Sequence, residues 1–473
     1  MGLYESFFDA VMTVDDYLWQ IALVFIGVFG VYATIRYKGI QITHLKHAIN
    51  LALGDVKERA PEGKITSFEA FCISMGARIG VGNIAGTATA IMAGGPGAIF
   101  WMWVFAVIGA ASSFVETTIA QIYKERKSDG ECYGGPAYYA SKGFGSRKVG
   151  IVVAFIIFLM FAVGFAGIEC CNAADALCGA FEFEHNRLAF AVIITLMFAP
   201  IALGGALRVA KVSAKVVPPM AFAWIIFAVI VILINIGNVP NAFLMIFRDA
   251  FDVPAMIGGG IGTAIIWGLK RGVFSNEAGI GTVTSVSAVA DVEHPVKQGY
   301  IQSFGVLVDT FLICTMSALV ILTFGPYESI HALGLDGVGL IQGVTASAVG
   351  DIARPLIAVF IFMFAFTCLV SDYLTSETNV RFIKDHRLTI WGLRIFLIVM
   401  VFCACMMGTE EMFEILDFLM AVTGIVNIIL LVRLRRIAEE AQRDYDRQIS
   451  EGVGTPVFHR SALSDSEGVT EWE

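Results

Sequence analysis

The stretches GARIGVGNIAG (residues 76–86) and GLKRGVFSNEAGIG (residues 268–281) interrupt two hydrophobic segments of the chain. Both stretches are rich in glycine and polar residues, yet each lies inside an apolar run long enough to cross a lipid bilayer. Non-helical backbone at membrane depth is tolerated only where protein groups or water satisfy its N–H and C=O groups. A pair of broken membrane helices therefore predicts a binding site near the middle of the bilayer, as in secondary transporters.

The composition indicates a protein embedded in a membrane. Of the 473 residues, 57% are hydrophobic and 15% are charged. Repeated apolar runs exceed the ~20 residues that a helix needs to cross a bilayer. The net charge of −9 argues against nucleic acid as a partner. The nine cysteines and seven histidines show no zinc-ligand spacing, so we expect no cofactor beyond a coupling ion.

Eleven membrane-spanning helices are predicted from the apolar runs. They cover about residues 17–36, 67–92, 97–123, 149–178, 187–205, 216–236, 255–289, 299–324, 353–380, 389–407 and 411–432. Basic residues cluster at 36–64, 124–127, 208–215, 381–387 and 433–436, always after an odd-numbered span. By the positive-inside rule, this pattern predicts a multi-pass plasma-membrane protein with its N-terminus outside and its C-terminus in the cytoplasm.

From the second span onward, the spans form two blocks of five, and each block opens with a broken helix. Because five is odd, the second block enters the membrane in the opposite sense, which is an inverted repeat. The predicted division is an extra N-terminal helix (1–36), a cytoplasmic linker (37–66), a first repeat (67–240), a second repeat (241–432) and a cytoplasmic tail (433–473). The tail is charged and poor in apolar residues, so we expect disorder beyond about residue 450.

The ends of a broken helix offer both donors and acceptors to a ligand. Half-helix N-termini present free N–H groups and a positive dipole end, whereas unwound carbonyl groups carry partial negative charge. This arrangement suits a small zwitterionic amino acid together with a sodium ion.

Other interpretations of these stretches stay open. The first stretch could be a small-xxx-small packing face, because Gly82 and Gly86 are four residues apart. The second could be a soluble loop between two short helices, although flanks of about 17 residues barely span a bilayer. Arg78 needs a partner for its charge inside the membrane. The candidate partners are Glu277, Glu116 and Asp309.

Three stretches carry a resemblance to a known family. They are GVFSNEAGIGTVTSVSAVADVEHPVKQG (272–299), GARIGVGNIAGTATAIMAGGPGAIFWMW (76–103) and YGGPAYY (133–139). In order and spacing, nearly the whole chain resembles the alanine or glycine:cation symporter family. The motif SNEAG at residues 275–279 is highly specific for that family.

The resemblance implies an all-α fold similar to that of the bacterial leucine transporter, with one additional helix before two inverted five-helix repeats. It also implies sodium-coupled uptake of a small amino acid by alternating access. By matching positions, the substrate-facing residues are Gly80, Gly82, Asn83, Ser275, Asn276, Gly279 and Gly281. The implied sodium site joins the backbone carbonyl groups of Gly76 and Ile79 to the hydroxyl group of Thr367.

The chain departs from the family pattern near this implied pocket. Val81 stands in place of threonine, and Cys170 stands in place of glutamine. Asp372 replaces a bulky tryptophan on the ninth span. We therefore include these three residues among the candidate substrate contacts. The added volume and carboxyl group predict an amino acid that is larger or more polar than alanine or glycine.

Three other function classes are possible in principle. An ion channel would usually show a selectivity filter built from a short symmetric repeat, and an enzyme would need a metal motif, a nucleophile or an acid/base set. The sequence shows neither. A proton-coupled amino-acid permease of the same fold is the main alternative, because Asp372 and Arg78 could carry the coupling charge.

Overall fold

The computed structural model describes residues 3–54, 64–181, 185–204, 206–251 and 260–473. The chain is all-α, as predicted, with 81% of its residues in helices. Among the described residues, eight helices are long and apolar enough to cross a membrane. The total of eleven spans stays a prediction, because the two broken helices and the helix Asn186–Ala202 are shorter.

The first half of the chain contains twelve helices and one short hairpin in the described ranges. The helices are α1 (Leu3–Arg36), α2 (Ile40–Thr43), α3 (Leu45–Gly54), α4 (Ser67–Arg78), α5 (Thr87–Gly94), α6 (Gly97–Ile122), α7 (Pro136–Gly143), α8 (Arg147–Leu159), α9 (Ala166–Ala180), α10 (Asn186–Ala202), α11 (Ala206–Ile234) and α12 (Val239–Asp249). Strands β1 (Glu125–Arg126) and β2 (Cys132–Tyr133) pair antiparallel between α6 and α7.

The second half continues with nine helices in its described part. They are α13 (Gly260–Asn276), α14 (Val283–Ser287), α15 (Pro295–Leu307), α16 (Thr315–Leu322), α17 (Tyr327–His331), α18 (Gly337–Val349), α19 (Ala353–Lys384), α20 (Arg387–Cys405) and α21 (Thr409–Ser450). π-helical turns at Gly82–Gly86, Met160–Phe165 and Val308–Cys314 interrupt α-helical segments, and 3-10 turns lie at Ile236–Asn238 and Arg460–Ala462.

Both predicted breaks are present. The first broken helix consists of α4, the π turn and α5, and the second consists of α13, an unwound segment and α14. Helix α13 packs against α5 and α14 packs against α4, so the two broken helices run antiparallel beside each other. The soluble-loop interpretation of the second stretch is therefore wrong, since both stretches lie side by side in the protein interior.

One carboxyl group accepts hydrogen bonds from two backbone N–H groups of the unwound segment in the second broken helix. Glu277, Gly279 and Gly281 all have positive φ angles, of 56°, 86° and 79°, which ends α13. Glu116 of α6 accepts hydrogen bonds from the backbone N–H groups of Gly279 (3.3 Å) and Gly281 (3.1 Å). It also accepts one from the Asn427 side chain of α21 at 2.9 Å. Glu116 therefore fixes the break to two neighbouring helices.

The structure adds elements that hydropathy did not predict. Helices α17 and α18 lie between the eighth and ninth predicted spans, and α21 continues to Ser450 instead of ending near residue 432. In place of the expected disorder beyond about residue 450, the tail packs on the protein and buries Phe458, Val469 and Trp472. These apolar residues are widely spaced, so the mean hydropathy of the charged tail does not reveal them.

Replacing Glu116 with alanine should destabilise the protein, because it leaves two buried N–H groups and an amide without acceptors. We expect a loss of about 2 to 4 kcal/mol, measured as a lower thermal midpoint in detergent. The matched control is Thr117→Val at the next position, since the Thr117 hydroxyl group has no hydrogen-bond partner among the described residues. A Glu116→Ala protein that melts like Thr117→Val would contradict this role.

Candidate functional site

The two breaks contact each other at Gly82 and Gly86, which have no side chain. A Cβ atom added to Gly82 would lie 3.1 Å from the Phe274 ring and 3.3 Å from the Ser275 Cα atom. At Gly86 the same ring would be 3.1 Å away. The small-xxx-small packing proposed for these glycines therefore exists, and its partner is the end of α13. The packing and binding-site interpretations of this stretch are compatible.

Polar groups in the first break are paired by nearby side chains. The N–H group of Gly80 donates to the Asn83 side-chain oxygen at 2.9 Å. The N–H group of Val81 donates to Glu169 of α9 at 3.3 Å. A Cβ atom added to Gly80 would clash with the Cys368 thiol and lie 2.9 Å from the Glu169 carboxyl group. Gly80 thus packs directly against polar side chains of α9 and α19.

Asp309 joins the two breaks. It lies in the π-helical turn Val308–Cys314, a distortion that is frequent at functional sites. One of its oxygens accepts from the Asn83 amide at 2.6 Å, and the other accepts from the Ser275 hydroxyl group at 2.6 Å. Asn276 donates to the neighbouring Thr310 at 3.1 Å and accepts from the N–H group of Ala278 at 3.0 Å.

Arg78 caps the second broken helix without forming an ion pair. Its Nε atom donates to the carbonyl group of Asn276, the last residue of α13, at 2.9 Å. Its other nitrogens donate to Gln302 and to the Ser113 hydroxyl group. A cation at the C-terminal end of a helix is electrostatically favourable. Among the described residues, the hydrogen bonds of Arg78 go to neutral acceptors, and the three candidate carboxyl groups act on it only at longer range.

Three buried carboxyl groups lie around the first break with little hydrogen bonding of their own. Asp372 is within electrostatic reach of Glu169 and Glu277, and all three side chains are at most 2% exposed. Asp372 Oδ2 and Glu277 Oε2 have no hydrogen-bond partner among the described residues. Buried polar atoms are usually paired, so these oxygens are available to a ligand with donor groups.

The residues implied as a sodium site meet between α4 and α19. A Cβ atom added to Gly76 would lie 3.6 Å from both Thr367 Cβ and Ser371 Oγ. Among the described residues, the carbonyl group of Gly76 accepts a hydrogen bond from the weakly donating Cys368 thiol at 3.1 Å. Ile79 is buried at the end of α4. This set offers the oxygen atoms that a hard cation prefers.

Three predicted residues lie apart from this cluster. Gly279 and Gly281 donate their N–H groups to Glu116, and an added Cβ at Gly279 would face Ile26 and Ile428. Cys170 lies within hydrogen-bonding distance of Cys405 on α20. Its neighbour Glu169 is the residue of α9 that reaches the first break.

A cavity of about 560 Å³ opens on one side of the breaks. It is lined by residues of α1, α5, α9, α13, α18 and α21, and it ends at Arg271, one helical turn before Ser275. Arg271 pairs with Asp417 at 2.9 Å and lies over the Phe413 ring, 4.4 Å from its centroid. This ion pair and ring separate the cavity from the contact between the breaks.

Sequence reasoning missed Glu169, Asp309 and Glu116 as site residues. Each is an ionisable residue in a predicted apolar span, which is the signal that could have identified them. From sequence, Glu116 and Asp309 are candidates only as partners for Arg78, because their distances from the breaks cannot be read from sequence.

The chain was compared with known proteins. The family model described as "Sodium:alanine symporter family" matches residues 4–460. The probable sodium/glutamine symporter GlnT of Bacillus subtilis is 39% identical over 461 residues, covering 97% of this chain and 94% of GlnT. The amino-acid carrier protein AlsT of Bacillus subtilis is 38% identical over 473 residues, covering 99% of this chain and 98% of AlsT.

The fold is similar to that of MhsT, a transporter with the leucine-transporter fold that was crystallised in complex with L-phenylalanine. The TM-score is 0.52 at 13% sequence identity, and the match covers 79% of this chain and 90% of MhsT. This likeness confirms the predicted fold class. The relatives are symporters and carriers and not enzymes, so this is a multi-pass membrane protein for amino-acid and cation symport. The match over residues 4–460 and the identity to GlnT and AlsT show that the chain belongs to the sodium:alanine symporter family.

Proposed function

We propose that the protein takes up an amino acid together with Na⁺ by alternating access, with its N-terminus outside and its C-terminus in the cytoplasm. The observation that carries this proposal is the contact between the two breaks. There, Gly76 of the first broken helix packs near Thr367, and Asp309 accepts hydrogen bonds from Asn83 in the first break and from Ser275 in the second. Broken helices of this kind bind substrate and ion together in transporters with inverted repeats.

The substrate that best fits the site has a polar side chain with hydrogen-bond donors. Asp372 provides a buried acceptor oxygen without a partner among the described residues, beside Glu169. A side-chain amide would satisfy that oxygen, whereas the methyl group of alanine would leave it unpaired. The relative GlnT, at 39% identity, is named as a probable sodium/glutamine symporter. We therefore propose glutamine or an amino acid of similar polarity as the substrate.

A proton-coupled mechanism is the second candidate. The unpartnered oxygens of Asp372 and Glu277 favour it, since buried carboxyl groups form proton relays in many transporters. Uptake measured with an imposed Na⁺ gradient or an imposed pH gradient separates the two mechanisms. Accumulation driven by the pH gradient alone would support proton coupling.

Replacing Na⁺ with choline should abolish uptake into proteoliposomes, and Thr367→Ala should raise the Na⁺ concentration for half-maximal uptake. Loss of one oxygen ligand to a charged group predicts a rise of about tenfold. Thr378→Ala is the matched control, because Thr378 is buried on the same helix and donates to a carbonyl group of that helix. Unchanged uptake in choline would refute sodium coupling.

Replacing Asn83 or Asn276 with leucine should weaken amino-acid binding by one to two orders of magnitude. Each change leaves buried polar groups of the breaks without hydrogen-bond partners, and each unpaired group costs about 1 to 3 kcal/mol. Binding can be measured as the ligand-induced rise in thermal midpoint. Asn379→Leu serves as control, since that buried amide bonds only to its own helix. A protein that loses its stability but binds ligand normally would show that these amides only hold the fold.

Asp372 should determine selectivity. In competition against a panel of all amino acids, we expect glutamine or another polar amino acid to compete best in the native protein. Asp372→Trp should shift the preference toward alanine and glycine, because it adds bulk at this position and removes the acceptor. Asp372→Asn preserves the shape and tests the charge alone. Alanine as the best competitor in every version would show that Asp372 does not shape the site.

A further inference from the structure

The last residues of the chain fold back onto the side of the protein where α21 ends. Phe458 is 2% exposed, and its backbone N–H group donates to the carbonyl group of Glu293 at 2.9 Å. Trp472 is 9% exposed, and its indole N–H group donates to the carbonyl group of Gln121 at 3.1 Å. The two rings contact each other edge to face, with centroids 5.3 Å apart. Residues 451–473 thus form a packed segment, which we call the strap.

Charged and aromatic groups reinforce the strap. Glu471 pairs with Arg126 of β1 at 3.2 Å, and the Lys124 ammonium group lies 4.9 Å from the Trp472 ring centroid. The Phe458 ring packs edge to face on His294 at 5.1 Å. Burial lowers the pKa of the His294 imidazole, so this ring is uncharged at neutral pH and packs as an aromatic group.

Beneath the strap, the two broken helices are joined. Ile65, just before α4, accepts a hydrogen bond from the N–H group of Asp291 at 2.9 Å, and Lys64 pairs with Asp291 at 2.7 Å. Ile65 and Ala290 also form a β-bridge. This joint connects the start of the first broken helix to the end of the second.

Gln121 of α6 and Lys124, which follows the end of α6 at Ile122, connect the strap to the joint. The side-chain amide of Gln121 donates to the carbonyl group of Ser287 at 2.6 Å. The backbone carbonyl group of Gln121 accepts the hydrogen bond from the Trp472 indole N–H group. Lys124 donates to the carbonyl group of Ala290 at 3.0 Å and lies over the same Trp472 ring. Separating the joint would therefore disturb the groups on which Trp472 rests.

We propose that the strap is a built-in brake: it stabilises the state in which the joint is closed and so slows opening of the protein on the side of its C-terminus. A segment can shift a conformational equilibrium only by contacts that differ between the two states. The strap contacts Gln121 and Lys124, the two residues that donate hydrogen bonds to the joint, so separating the joint would change the strap's own contacts.

Hydrogen–deuterium exchange of the joint tests the brake directly, because the Asp291 amide is one of the joint's own hydrogen bonds. Trp472→Ala and deletion of residues 451–473 should each speed exchange in peptides covering 287–292. Loss of one hydrogen bond and one cation–π contact predicts roughly a fivefold to thirtyfold increase. Trp391→Ala is the matched control, because that tryptophan is 41% exposed on α20 and its described ring contact is with Arg394 of the same helix.

Cys132 reports whether the strap has detached. Its thiol lies 3.6 Å from the Glu471 carboxyl group, so its alkylation by a maleimide, followed by mass spectrometry, should accelerate when the strap is lost. Faster alkylation together with faster exchange at 287–292 supports the brake. Faster alkylation with unchanged exchange would overturn it, because the strap would then cover the joint without stabilising it. Neither readout requires transport, so failure here is distinct from failure of the proposed function.

Discussion

Unwound backbone in the interior of a membrane protein must find partners for every N–H and C=O group, and this requirement organises the centre of the protein. Glu116 receives two N–H groups of the second break, and Glu169 and Asn83 receive two of the first. Glu116 and Glu169 lie on the neighbouring helices α6 and α9, whereas Asn83 lies within the first break itself. The helices around the breaks are therefore positioned by hydrogen bonding as well as by apolar contact.

The same requirement couples the two breaks. Asp309 accepts from Asn83 in the first and from Ser275 in the second, and Arg78 at the end of α4 caps α13 through the carbonyl group of Asn276. A ligand that bonds to one break therefore changes the environment of the other. Such shared partners provide a physical basis for coordinated movement of two antiparallel helices, which a hinge in a single helix would not provide.

The breaks were predictable from sequence because their cause is local: glycines and polar residues within an apolar run. Their partners were less predictable because the contacts are distant in the chain, as between Glu116 and Gly279 or between Asp309 and Asn83. On α9, the helical rotation of one residue decides that Glu169 and not Cys170 faces the break. The packed tail could not be read from composition, because a few widely spaced aromatic residues anchor a charged segment.

The charge balance of the interior gives a reason for coupling an amino acid to a cation. Three buried carboxyl groups, at Glu116, Glu277 and Asp309, lie within electrostatic range of Arg78, whose described hydrogen bonds go to neutral acceptors. In a medium of low dielectric constant, each of these carboxyl groups that ionises attracts positive charge strongly. A zwitterion adds no net charge, because its carboxylate cancels its ammonium group. In the proposed mechanism Na⁺ supplies the missing positive charge, and binding of the amino acid and the ion becomes mutually favourable, since linkage between two ligands is reciprocal.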